Sequence, residues 1–211
     1  MRKSCVWAFL VFSLAAPLAA QSDDPWAALE GVRGRLAAGG PRVAEFEHVY
    51  VPAGFSQGER ETGRLALSLP DCLRWDYGQP YPKSFLVCGT LAHYWNSEDK
   101  TGRRQRIDSQ NEPGLDLLLL PTAELKSRYQ AKAETETLPG GQVRLQMVPL
   151  YPSPEVKQAT LTLDTGGGVV TGLSYRDQEG NLTEFVIKSY GPLTETNLFS
   201  PPEGIVWTSG E

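Results

Sequence analysis

The 211-residue chain is short of the side chains that do chemistry, with two histidines and three cysteines in all. His48 and His93 fall in separate extended stretches, and no Cys or carboxylate cluster stands at ligand spacing from either, so both read as ordinary sheet residues and no metal centre is indicated. Positive charge is also scarce: 20 Lys and Arg face 25 Asp and Glu, a balance that does not attract nucleic acid. Catalytic motifs are missing as well. Gly166-Gly167-Gly168 lacks the Lys-Ser/Thr and the helix that a phosphate-cradling loop needs, and no Ser or Cys sits in a nucleophile motif. Glu45 and Glu47 share one strand face, which reads as a solvated face rather than an acid/base pair. The chain is therefore read as a non-enzyme that needs no cofactor.

Beyond the first twenty residues no stretch is long and apolar enough to cross a bilayer, which takes roughly 20 residues. Within those twenty, Arg2 and Lys3 precede an apolar run over 6–14, and Ala15, Ala16, Ala19 and Ala20 follow. This is the order of a secretory signal peptide, read as residues 1–20 with cleavage between 20 and 22. Cys5 lies too early to be a lipid-anchored cysteine. Without Arg2 and Lys3 the remaining 18 basic and 25 acidic residues leave a charge of about −7. A soluble, exported single domain over 23–211 is expected, destined for the periplasm.

What the chain has in plenty is turn residues, 21 Gly and 16 Pro spread along its length, the mark of many short strands. One helix precedes them: Trp26, Leu29, Val32 and Leu36 form a stripe, with Asp24 as N-cap, Pro25 at the first helical position and Gly39-Gly40 at the end. Period-two runs follow over 43–51 and 62–69, where Leu65, Leu67 and Leu69 share a face. The next pair, 72–77 and 84–88, surrounds a turn near Pro80. Pairing about that centre sets Cys72 opposite Cys88, Leu73 beside Val87 and Trp75 beside Phe85. A cross-strand disulfide between Cys72 and Cys88 is then possible in an oxidising compartment, and two separate buried thiols are the other reading. Further strands are expected over 91–95, 103–107, 131–138, 143–148, 157–164, 169–176 and 182–189. A leucine-rich insert at 114–120 and a short helix at 122–129 interrupt them. The expected fold is mainly β (α+β), a curved antiparallel meander that needs a cover on its concave side.

The order of several motifs resembles the LolA family of outer-membrane lipoprotein carriers. These are Phe46-Glu47-His48, Gly63-Arg64-Leu65-Ala66-Leu67, Pro70-Asp71-Cys72-Leu73-Arg74-Trp75, Leu86-Val87-Cys88-Gly89, the leucine-rich insert, Gly180-Asn181-Leu182-Thr183 and Phe199-Ser200-Pro201-Pro202-Glu203-Gly204. The resemblance implies an incomplete β-barrel covered by the first helix and the helical insert, in a periplasmic monomer that shields lipoprotein acyl chains in an apolar hollow. Its implied partners are acylated lipoproteins, an inner-membrane lipoprotein-releasing transporter and an outer-membrane acceptor. Implied cavity residues are Phe46, Leu65, Leu67, Leu69, Leu73, Trp75, Phe85, Val87, Leu117, Leu118 and Leu120, with Trp26, Leu29 and Val32 on the lid helix. Two departures stand out. The family carries an Arg before the Pro matched to Pro70, where it helps latch the lid, and Leu69 stands there; the usual Gln is replaced by His48. The alternatives are a carrier of another lipid or glycolipid, or an envelope regulatory or sensor module that binds a protein partner on the same fold.

Overall fold

The computed structural model describes residues 24–78, 80–106, 115–134, 138–153 and 155–209. The expected leader, and parts of the expected strands over 103–107 and 131–138 and of the expected insert over 114–120, lie outside these residues. Asp24 caps the first helix as expected, its Oδ1 accepting from the Trp26 amide at 3.0 Å, and α1 runs from Pro25 to Ala38. Its interior holds Gly31 and Gly34, each of which weakens a helix by about 1 kcal/mol relative to Ala. A Cβ added at either would meet nothing within 4 Å, so no close approach requires them. Packing, not propensity, holds α1 in place.

Twelve strands form one sheet. They are β1 (Arg42–Val51), β2 (Glu59–Ser68), β3 (Cys72–Tyr77), β4 (Lys83–Cys88), β5 (Leu91–Asn96), β6 (Thr101–Arg106), β7 (Tyr129–Ala133), β8 (Gln142–Pro149), β9 (Gln158–Asp164), β10 (Val169–Arg176), β11 (Leu182–Pro192) and β12 (Val206–Ser209). Their order, β12-β6-β5-β4-β3-β2-β1-β11-β10-β9-β8-β7, corrects the expectation of a simple meander. Two meanders are joined where β11 pairs antiparallel with β1, so β6 and β7, neighbours in sequence, stand near opposite edges. The two long strands at the centre can accept a partner on each side, and β1 takes both β2 and β11. The sheet does not close. Between β6 and β7 the chain forms α2 (Leu115–Leu119) and α3 (Thr122–Arg128). The strand β12, missed by the sequence pattern because only Val206 and Trp207 mark it, pairs parallel with β6.

Alternation gives each strand two faces. The inward face carries Ala44, Phe46, Leu65, Leu67, Leu73, Trp75 and Val87 from one half, and Leu145, Met147, Leu161, Leu163, Leu173 and Ile187 from the other, all buried. Leu29, Val32 and Leu36 of α1, Leu117–Leu120 and Leu125 of α3 complete this core. The outward face holds a second, smaller set, Ala66, Leu86 and Trp95, outside that cluster.

Candidate functional site

Cys72 and Cys88 face each other across β3 and β4 and are joined by a disulfide, with Leu73 beside Val87 and Trp75 beside Phe85. The register that the turn at Pro80 demands is the register found, and it fixes which residues face inward. Leu73 and Trp75 point to the core while Cys72, Arg74 and Asp76 point out.

The inward wall is graded along its strands. Leu67, Leu73 and Val87 lie at one end. Next comes an aromatic belt: Phe46 meets Trp75 edge-on at 4.8 Å, Tyr77 at 4.9 Å and Phe185 at 6.1 Å. Gly63 makes room for it, since a Cβ there would lie 2.6 Å from the Phe46 ring. One step further the wall turns polar. His48 stacks on Phe185 at 4.4 Å and 6°, its Nδ1 is 3.4 Å from Tyr77 Oη and 3.6 Å from Glu61, and Lys83 Nζ donates to both Glu61 oxygens at 2.8 and 2.9 Å.

Of the sequence-predicted cavity residues, the structure buries Phe46, Leu65, Leu67, Leu73, Trp75, Val87, Leu117, Leu118 and Leu120, and half-buries Leu69. Phe85 differs: on the inward face but 36 % exposed, it packs against Tyr77 and Tyr94 beyond the cover. Leu29 and Val32 of α1 are buried, and Trp26 is half-buried. Leu119 and the whole wall from β8 to β11 belong to the same cluster and escaped the sequence reading, although the alternation over 157–164 would have revealed them.

Among the described residues, leucines of the insert and of α1 enter the expected hollow. Leu29, Leu36, Leu65, Leu73, Leu117 and Leu118 close around a space of about 10 Å³, against roughly 300–1,000 Å³ for ligand sites. The cause is packing: an apolar void has no partner atoms on one side, and the insert's leucines supply them. A larger open hollow of about 780 Å³ lies on the outward face of β8–β11, but Thr160, Thr162, Thr171, Ser174, Glu184 and Lys188 make it polar.

One half-buried cation reaches toward the apolar interior. Arg33 of α1 donates from Nη1 to the Leu120 carbonyl and from Nη2 to that of Leu118. Burial pulls its guanidinium down to about 10, still charged at neutral pH. A cation at the C-terminal end of α2 meets its unpaired carbonyls, a favourable placement. Sequence reasoning missed Arg33, yet it falls four residues after Leu29 and three before Leu36, on the apolar stripe where a solvated Arg has no reason to be. A second link, Lys126 of α3 to Glu30 of α1 at 3.0 Å, is exposed.

An unclosed, almost wholly antiparallel sheet with an apolar inner wall and a helical cover defines the class of fold. A family model described as outer membrane lipoprotein carrier protein LolA matches residues 43–200, and the chain belongs to that family. Solved structures agree on the fold. An uncharacterized conserved protein from Thermus thermophilus superposes with a TM-score of 0.57 at 12 % identity, over 87 % of this chain and 98 % of that one. A putative outer membrane lipoprotein-sorting protein domain from Vibrio parahaemolyticus gives 0.50 at 14 %, over 83 % and 95 %. MucB gives 0.51 at 12 %, over 84 % of this chain and 62 % of that one. No curated protein sequence matches significantly. No described helix is long and apolar enough to cross a membrane.

Proposed function

We propose that this protein is a periplasmic carrier that takes up the acyl chains of lipoproteins by exchanging them for the leucines of its own lid. The supporting observation is that the interior of the wall is filled by Leu117–Leu120, a run on a short helical insert between the two ends of the sheet, and not by the wall alone. Burying acyl chain contributes about 0.8 kcal/mol per CH₂, so a multiply acylated protein does not leave a membrane unaided at a useful rate. Exchange of acyl chain for leucine replaces like with like, which keeps net affinity moderate and release feasible. Arg33 is the latch in this scheme: it ties α1 to the insert through backbone carbonyls, taking over from α1 the task that the family gives to the Arg missing at Leu69. The family's description as outer membrane lipoprotein carriers supports the cargo, and in this scheme the cargo would come from an inner-membrane releasing transporter and pass to an outer-membrane acceptor.

The test is uptake of the uncharged fluorophore N-phenyl-1-naphthylamine by the purified protein, in competition with a diacylated lipopeptide. Saturable binding displaced by the lipopeptide but not by its deacylated form is expected. Phe85→Glu, at an exposed position, should fold normally and weaken uptake about tenfold, because a carboxylate facing the apolar path opposes acyl entry. Absence of uptake by both the native protein and an Arg33→Met variant would leave a partner-binding module as the function of this fold.

A further inference from the structure

The polar residues at the end of the inward wall are selective in composition. Along three strands the sequence steps from apolar to aromatic to polar, with Ala44, Phe46, His48 on β1, Leu73, Trp75, Tyr77 on β3 and Val87, Phe85, Lys83 on β4. β2 runs Leu65, Gly63, Glu61, its middle position left to the Phe46 ring, and His48 and Glu61 form the outermost pair with Tyr77 and Lys83 one register step inside them. The grading matches an amphiphile lying along the strands, its tail toward Leu73 and its headgroup at the last row. These last groups cancel in charge. Lys83 is held by both oxygens of Glu61 and lies 4.6 Å over the Tyr77 ring, which leaves no free cation in the row. Burial disfavours the charged form of His48, and it raises Tyr77 so that the phenol stays a neutral hydrogen-bonding group. Other charges facing the same side are the exposed Glu59, next to Tyr50, and the exposed Arg103, beyond Tyr94. Arg103 stands two strands from Phe85, roughly 10 Å at the usual strand spacing.

We infer that His48, Glu61, Tyr77 and Lys83 form a headgroup subsite for uncharged, ester- or amide-linked amphiphiles, and that it discriminates against phosphate headgroups. This rests on the carrier reading and adds to it the class of cargo: an acyl glyceride linkage is accepted, and a phospholipid of the surrounding membranes is refused. A neutral linkage hydrogen-bonds to Tyr77 and His48 without disturbing the Lys83–Glu61 pair. A phosphate must meet Glu61 or pull Lys83 from it, and like charges at close range are costly.

The experiment displaces N-phenyl-1-naphthylamine from the purified protein with two chain-matched competitors, 1-monopalmitoylglycerol and monohexadecyl phosphate, each below its aggregation threshold. In the native protein the glyceride should displace at about tenfold lower concentration. In Glu61→Gln, which leaves Lys83 unpaired, the ratio should fall to unity or invert. In Lys83→Met, which leaves the carboxylate alone, it should widen, and this variant decides the matter if Glu61→Gln lacks a native near-ultraviolet spectrum. Equal displacement by both competitors in the native protein, or a ratio unchanged in the folded variants, overturns the subsite while leaving the carrier reading intact. Displacement by neither overturns both.

Discussion

The sheet buries apolar side chains on both faces, and the two are sealed by different means. On the inward face the cover is α1 and the insert, held by leucine packing, the Arg33 links to backbone carbonyls and the exposed Lys126–Glu30 pair. On the outward face Leu86 and Trp95 lie under the chain's C-terminal stretch, which is tied down by ladder bonds and a covalent brace close by. β12 pairs with β6, setting Trp207 against Gly102, where a Cβ would lie 2.5 Å from the indole. The Trp207 ring meets His93 at 5.2 Å and Trp95 at 6.2 Å. Arg74 lies over Trp95 at 4.9 Å and donates to the Leu198 carbonyl at 2.8 Å, and the Cys72–Cys88 disulfide joins the strands beneath. The back of the sheet is thus built to stay shut. The front is closed by groups that part without breaking a strand ladder, the arrangement expected where opening is the function.

Matched truncations on the two faces break this comparison most directly. Leu86→Ala, at a site 1 % exposed and framed by sheet, should cost about 3 kcal/mol or more, whereas Leu118→Ala, in a short helical piece able to settle, should cost about 1–2 kcal/mol. Urea unfolding measures both. Equal losses would mean that the lid is as fixed as the back.

The brace comes next. Replacing Cys72 and Cys88 together by Ser opens a cross-link between positions 16 apart, which should lower stability by about 3 kcal/mol while leaving acyl uptake by the folded fraction unchanged. A selective loss of uptake would show that the brace shapes the inner wall.

Arg33→Met acts on the other face. It removes two charge-assisted hydrogen bonds that hold the insert, each of a kind contributing about 1.5–3 kcal/mol, and it also relieves a half-buried charge. A net loss of about 1.4 kcal/mol would raise the open population tenfold. Faster amide exchange over 115–120 and faster fluorophore uptake, with little change over β3 and β4, are the expected readouts.

How much of this was legible beforehand depended on whether the controlling interaction was local. The pairing of Cys72 with Cys88 followed from a tight turn, because a hairpin's register is fixed by its loop. The cap at Asp24 and the stop at Gly39-Gly40 were equally local. The pairing of β11 with β1 was not legible, since it sets Phe46 beside Ile187 across most of the chain and no turn specifies it. Phe85 and Trp75 alternate identically with their neighbours, so only the reach of the cover separates an exposed ring from a buried one. The polar row was hidden because His48, Glu61, Tyr77 and Lys83 come from three hairpin-connected pairings and look unremarkable one at a time.

The smallest expected effect contrasts the two histidines, one on each face. Burial lowers both: for His48 Glu61 opposes the shift and Lys83 adds to it, while for His93 Arg104 adds to it. His93 Nδ1 is buried and has no hydrogen-bond partner among the described residues. Because each imidazole binds a proton more weakly in the folded chain, the unfolded chain takes up protons first as pH falls. Their contribution is therefore complete above the unfolded value of about 6.5 and is lost as pH drops from there toward the folded values. His93→Gln should flatten the decline in the urea midpoint between pH 7.5 and 5.5. Cargo separates the two residues further: an amphiphile seated at the polar row covers His48 and should lower its titration midpoint, while His93, behind the sheet under Trp207, should titrate unchanged. Imidazole proton shifts followed with and without 1-monopalmitoylglycerol measure this, and a shift at His93 equal to that at His48 would show that the two faces move together.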